Sequence, residues 1–119
     1  MKKPRFNHEK LEVYQRSLKF ITWLTEVIDA LSRGNGNIID QIDRASISVV
    51  LNIAEGNGKH SSKEHKRYIE TAKSSALECA AALDIMFAKK LIDEQKSEEG
   101  KEMTEVMVKM LYKLGESLL

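Results

Sequence analysis

With 119 residues, 42% of them hydrophobic and 31% charged, the chain has the make-up of one globular domain, residues 1–119, around one core. Its 19 basic and 18 acidic residues leave a net charge of +1, so bulk charge announces no nucleic-acid partner, and the single cysteine excludes an internal disulfide. No run reaches the roughly 18 apolar residues that span a bilayer, and no apolar signal core follows the basic start MKKPRF, so a cytoplasmic protein without membrane contact is expected.

The only proline is Pro4, and no stretch alternates polar and apolar with a period of two, so every element reads as helix. The first helix is expected over residues 8–32, capped by Asn7 and ended by Gly34-Asn35-Gly36. It carries two stripes: Leu11, Tyr14, Leu18, Ile21, Thr25 and Ile28 on one side, and Val13, Phe20, Leu24, Val27 and Leu31 on another, with Trp23 at the edge. The second helix is expected over 37–56, with Asn37 as cap and Asp40 in its first turn.

The chain is organised around this second helix. Ile39, Ile42, Ser46, Val49, Val50 and Ile53 share one face, and a narrow polar seam of Gln41, Arg44, Ser48, Asn52 and Glu55 runs opposite and ends at Gly56. With so little wet surface, the seam residues need partners, so Arg44, Ser48, Asn52, Glu55 and Gly56 read as a structural lock, with Arg44 beside Ser48 and Asn52 beside Glu55. The other reading is a binding edge.

Ser61-x-x-Glu64 reads as a capping box opening a third helix over 62–90. Its main face carries Tyr68, Ala72, Ser75, Ala76, Cys79, Leu83 and Met86, and a second stripe carries Leu77, Ala81, Ile85 and Ala88. The fourth helix, over 97–118, has one stripe: Met103, Val106, Met107, Met110, Leu111, Leu114 and Leu118. The expected fold is all-α, an antiparallel up-and-down four-helix bundle. One stripe per helix suffices for a monomeric bundle, so the surplus on the first three helices predicts a homo-oligomer, the alternative being a kinked or splayed bundle that buries both stripes internally.

No catalytic constellation, metal site or cofactor site emerges. His60 and Glu64 lack a third ligand, and Cys79 sits on a core face with no base near it. Gly56-Asn57-Gly58-Lys59-His60-Ser61 has the wrong spacing for a phosphate loop and follows a helix. Charge is more informative. Residues 1–20 carry Lys2, Lys3, Arg5, Lys10, Arg16 and Lys19, and residues 59–73 carry Lys59, Lys63, Lys66, Arg67 and Lys73 with His60 and His65. Residues 93–105 are acidic. Repeated around an oligomer, such basic zones suit a polyanion, whereas singly they read as solvated helix ends.

Phe6-x-x-x-x-Leu11-x-Val13-Tyr14-Gln15, Arg44-x-x-x-Ser48, Asn52-Ile53-Ala54-Glu55-Gly56 and Arg67-Tyr68-Ile69 with Ala72 and Ser75-x-x-Glu78 resemble the 23S rRNA intervening-sequence proteins, also called the S23 ribosomal protein family. The resemblance covers about residues 6–92. Val50-Leu51 stands where the family has Pro-Ser, and Ser74 where it has Gly, so the second helix should be straighter. The resemblance implies a four-helix bundle closing into a ring, typically a pentamer. It also implies kinship with accessory proteins of diversity-generating retroelements, which bind RNA and a reverse transcriptase. The resulting expectation is a non-enzymatic RNA-binding protein that uses Arg16, Lys59, Lys63, Lys66 and Arg67 as phosphate contacts. The alternative is a scaffold for a protein partner such as a reverse transcriptase, without nucleic-acid contact.

Overall fold

The computed structural model describes residues 3–31 and 35–118. Four α-helices follow a short 3-10 turn at Asn7–Lys10: α1 Glu12–Asp29, α2 Gly36–Asn57, α3 Ser62–Ala88 and α4 Glu94–Glu116. Each helix packs on its neighbours in chain order and α4 returns to α1, with the most extensive pairing between α2 and α3. This is the up-and-down four-helix bundle expected from the stripes.

The helix ends differ from expectation where local hydrogen bonds compete. Asn7 does not cap α1. Leu11, in an extended conformation, separates the helix from the 3-10 turn, and the Glu9 carboxylate accepts from the backbone N–H groups of Arg5 and Phe6. These bonds satisfy the first turn before α1 begins, so the helix starts four residues later than residue 8. At its other end α1 stops at Asp29, and the expected terminator Gly34, like Ser32, lies outside the described residues. The cap of α2 is Asn35, not Asn37, whose Oδ1 accepts from the N–H of Ile38 inside the first turn.

Ser61 caps α3 as expected, its Oγ accepting from the N–H of Glu64 at 3.1 Å. That helix ends at Ala88 rather than 90 because Lys90 turns left-handed (φ 63°), and the N–H of Leu91 returns to the carbonyl of Met86 at 2.9 Å. α4 starts three residues before Ser97. Asp93 Oδ1 accepts from the N–H of Lys96 at 2.8 Å, a stronger start signal than any at residue 97, and Ser97 itself is buried.

The core takes Val13, Phe20, Leu24 and Val27 from α1 and Ile42, Val49 and Ile53 from α2. Ile69, Ala72, Ala76, Cys79, Leu83 and Met86 come from α3, and Met107 and Leu111 from α4. Small residues on α3 let α2 approach closely, and the seam closes there. Ser48 Oγ and Ser75 Oγ lie 2.8 Å apart, Asn52 Nδ2 donates to the carbonyl of Ser48 at 2.8 Å, and Gln41 Nε2 donates to the carboxylate of Glu78. The lock therefore runs along α2 only from Asn52 to Ser48 and crosses to α3 at Ser75 and Glu78. Arg44 and Glu55 are exposed, and the expected Arg44–Ser48 and Asn52–Glu55 pairs do not form among the described residues. Both side chains sit further round the helix, on its solvent side. α2 runs unbroken through Val50 and Leu51, consistent with the missing proline.

Three stripes meet different fates. The Leu11–Ile28 stripe of α1 is mostly half-buried, and that of α4 is spent on the core and its margin. The second stripe of α3 stays outside: Leu77 is 52% and Ile85 45% exposed, with Ala81 and Ala88 beside them. The outer face of α2 adds exposed Ile47 and Leu51.

Candidate nucleic-acid interface

Antiparallel packing brings the start of α1, the end of α2 and the start of α3 to one end of the bundle. Asn7 Nδ2 donates to Asn57 Oδ1 at 3.1 Å, joining the 3-10 turn to the α2–α3 connection across fifty positions of sequence. The two basic zones thereby merge. Within residues 3–12, 55–70 and 113–118 this end holds Lys3, Arg5, Lys10, Lys59, Lys63, Lys66, Arg67 and Lys113 against Glu9, Glu12, Glu55, Glu64, Glu70 and Glu116. All three histidines, His8, His60 and His65, are here too. Lys2 of the first zone lies outside the described residues.

The opposite end is the reverse. Residues 29–31, 35–43 and 84–102 hold Asp29, Asp40, Asp43, Asp84, Asp93, Glu94, Glu98, Glu99 and Glu102 against Lys89, Lys90, Lys96 and Lys101. A near-neutral chain thus folds into a particle with a basic end and an acidic end, and the potential at each end exceeds what net charge suggests.

Gly56 sets the geometry of the basic end. A Cβ there would meet Tyr68 Cβ at 2.7 Å and the carbonyl of His65 at 3.3 Å, so only glycine lets α2 end this close to the first turns of α3. Tyr68 in turn carries two cations over its ring, Lys59 Nζ at 5.0 Å and the Arg67 guanidinium at 5.2 Å from the centroid. Arg67 is also 4.0 Å from Glu64, a loose and exposed pair. Among the described residues Lys59, Lys63 and Lys66 have no carboxylate partner, leaving their charges to solvent or a ligand. His65 packs against Gly56, its Nε2 is buried without a hydrogen-bond partner, and burial holds its pKa below the ordinary histidine value.

Four of the five expected contacts, Lys59, Lys63, Lys66 and Arg67, therefore lie together at this end. Arg16 stands apart: its Nε donates to Glu12 at 2.9 Å, and it shares a side groove with Glu99 and Glu102 on α4. In the sequence Phe6, Tyr14 and Tyr68 read as motif and stripe residues, and the fold weaves them through this end with His8. Phe6 is 64% exposed and stacks on His8, with ring centroids 5.8 Å apart and planes within 8°. His8 meets Tyr14 edge-on at 4.8 Å. Alternation of aromatic and basic residues at Arg5-Phe6 and Arg67-Tyr68 was the available signal.

A second feature lies on the side of the bundle. Leu77, Val108 and Tyr112 line a shallow groove between α3 and α4, rimmed by Lys73, Lys109 and Lys113. Tyr112 is exposed and was not anticipated as surplus apolar surface on α4. Cys79 is in the core, and burial, with Glu78 nearby, pushes its thiol up to about 12, which leaves it a packing residue. No helix among the described residues is long and apolar enough to cross a membrane.

Comparison with known proteins agrees with the architecture. A crystal structure at 1.70 Å of a protein of unknown function from the S23 ribosomal protein family of Bacteroides thetaiotaomicron VPI-5482 superposes with a TM-score of 0.78. The similarity covers 86% of this chain and 96% of that one at 19% sequence identity, a likeness of fold. No curated protein matches the sequence. The sequence signature of the 23S rRNA-intervening sequence proteins spans residues 9–113, from the 3-10 turn to the last turns of α4, and the chain belongs to that family.

Proposed function

We propose that this protein is a non-enzymatic, self-associating cytoplasmic bundle that binds RNA through its basic end. The observation that carries the reading is the Asn7–Asn57 junction, which merges two basic segments distant in sequence into one cationic surface. Lys59, Lys63, Lys66 and Arg67 contact phosphates, Lys3, Arg5 and Lys10 extend the patch, and Arg16 contributes from its flank. Phosphate contacts of this kind give salt-sensitive binding with little sequence preference.

Self-association is supported by the uncovered outer faces of α2 and α3, Ile47, Leu51, Leu77 and Ile85, which a second copy would cover. Closed into a ring, a pentamer in this reading, the protomers would present their basic ends together and multiply a moderate single-patch affinity. The groove at Leu77, Val108 and Tyr112 favours a second reading, a scaffold that docks a protein such as a reverse transcriptase and touches no nucleic acid.

Filter binding to structured RNA at about 50 and 200 mM salt, with light scattering on the same sample, separates the two, because each phosphate contact adds about 0.7–0.9 to the salt slope. An oligomer whose RNA affinity falls steeply with salt supports the RNA reading. An oligomer that ignores RNA at both salts leaves the scaffold.

A further inference from the structure

We infer that Phe6 is a stacking platform for an unpaired base, so that the preferred ligand at the basic end is single-stranded RNA rather than duplex. This rests on the RNA-binding reading above and specifies the ligand class. The support is a column of rings: Tyr14 is packed against the core, His8 meets it edge-on at 4.8 Å, and Phe6 lies parallel on His8 at 5.8 Å. Phe6 itself is 64% exposed, so most of the residue is open to solvent.

The column is held from below and from the side. The Glu9 carboxylate accepts from the N–H groups of Arg5 and Phe6, and Gln15 Nε2 donates to the carbonyl of Glu9 at 2.9 Å. Asn7, the residue between the two rings in sequence, is tied to Asn57, two positions before Lys59. A large apolar ring fixed in water has no packing reward of its own. A flat aromatic face does suit a nucleobase, because every base offers a π-surface and stacking is indifferent to sequence. Arg5 and Lys3, one and three positions before Phe6 in the chain, and Lys59 across the Asn7–Asn57 bridge supply the charge that a flanking backbone needs. A duplex presents phosphates and groove edges to such a surface, but its bases are stacked on one another and cannot reach the ring.

The test is anisotropy titration of the full chain with a short oligouridylate and with an RNA duplex carrying the same number of phosphates, at low salt. The variants are Phe6→Ala, Phe6→Trp and the pair Lys63→Glu with Arg67→Glu. Phe6→Ala is expected to weaken oligouridylate binding by about five- to a hundredfold, one stacked base, while leaving duplex binding unchanged. Phe6→Trp is expected to keep the affinity, and the charge reversals to weaken both ligands. Unchanged duplex binding also certifies that Phe6→Ala is folded. Equal losses of Phe6→Ala on both RNAs, or no loss on either, overturn the platform and leave the phosphate surface standing. Failure of the unaltered protein to bind either RNA removes the RNA-binding reading and the platform with it.

Discussion

The two ends of the bundle are built from the same kinds of helix termini, yet they do different things with charge. At the acidic end three of the nine acids, Asp84, Asp93 and Glu99, are engaged within the protomer among the described residues. Trp23 Nε1 donates to Glu99 at 3.1 Å, Lys96 approaches the same carboxylate at 3.3 Å, and Lys101 reaches Asp84 at 2.6 Å. The bond from Trp23, and then that from Lys96, holds the Glu99 carboxyl below the usual carboxylate range. At the basic end the lysines stand unpaired among the described residues, and the carboxylate of Glu9 is spent on backbone N–H groups. Charges that are satisfied locally hold a fold together, whereas charges left facing solvent are available to a ligand.

The largest test of this contrast is charge reversal at each end. Lys63→Glu with Arg67→Glu is expected to weaken RNA binding by about a hundredfold at low salt and to lower the salt slope by about two. Glu98→Lys with Glu102→Lys should leave affinity the same or raise it. A gain from Glu98→Lys with Glu102→Lys as large as the loss from the first pair would mean that binding follows net charge and not the end of the particle.

Next in size is the close approach that forms the basic end. Gly56→Ala forces its methyl against Tyr68 Cβ, so an overpacking loss of about 1–3 kcal/mol is expected in urea unfolding, with weakened RNA binding beside it. Gly100→Ala at the acidic end meets the side-chain ends of Leu83 and Trp23 at 2.6 Å rather than a Cβ fixed to the backbone, and should cost less. If Gly100→Ala proved the costlier of the two, the basic end would not be the more tightly constrained.

A smaller effect comes from pH. The His65 pKa is depressed by burial from 6.5, so the unfolded chain takes up the proton first as pH falls. Stability is then full above about pH 6.5 and declines below it until the folded state is protonated as well. His65→Phe should flatten that part of a pH series of unfolding midpoints. A decline between pH 7 and 5 that persists in the variant would assign it to other groups.

The smallest effect is at Glu55. Exposed and outside the Ser48–Asn52–Ser75 lock, it should lose no more than about 0.5 kcal/mol on Glu55→Ala. Asn52→Ala, which leaves part-buried partners short of a bond, should cost about 1–3 kcal/mol.

The parts of the lock that were legible in advance, and those that were not, have a common explanation. Periodicity identifies which residues share a face of α2, so Ser48 and Asn52 were correctly grouped. It cannot tell which edge of that face meets α3, and so Arg44 and Glu55 were drawn into a ladder that they do not join. Lys59, Lys63, Lys66 and Arg67 were legible as a cluster because they are close in the chain. Their union with Lys3, Arg5 and Lys10 was not, because it depends on a bond between two asparagines fifty residues apart.

By itself the sequence determined the four helices, their core stripes and the surplus apolar face of α3, because hydrophobic spacing is a local property of the chain. It also carried the family resemblance. Only the tertiary structure decided the charge polarity of the particle, the Ser48–Ser75 closure, and the ring column of Phe6, His8 and Tyr14. Those features depend on the relative placement of segments. That placement is set by how closely backbones approach at Gly56 and along the small residues of α3, and no window along the chain encodes it.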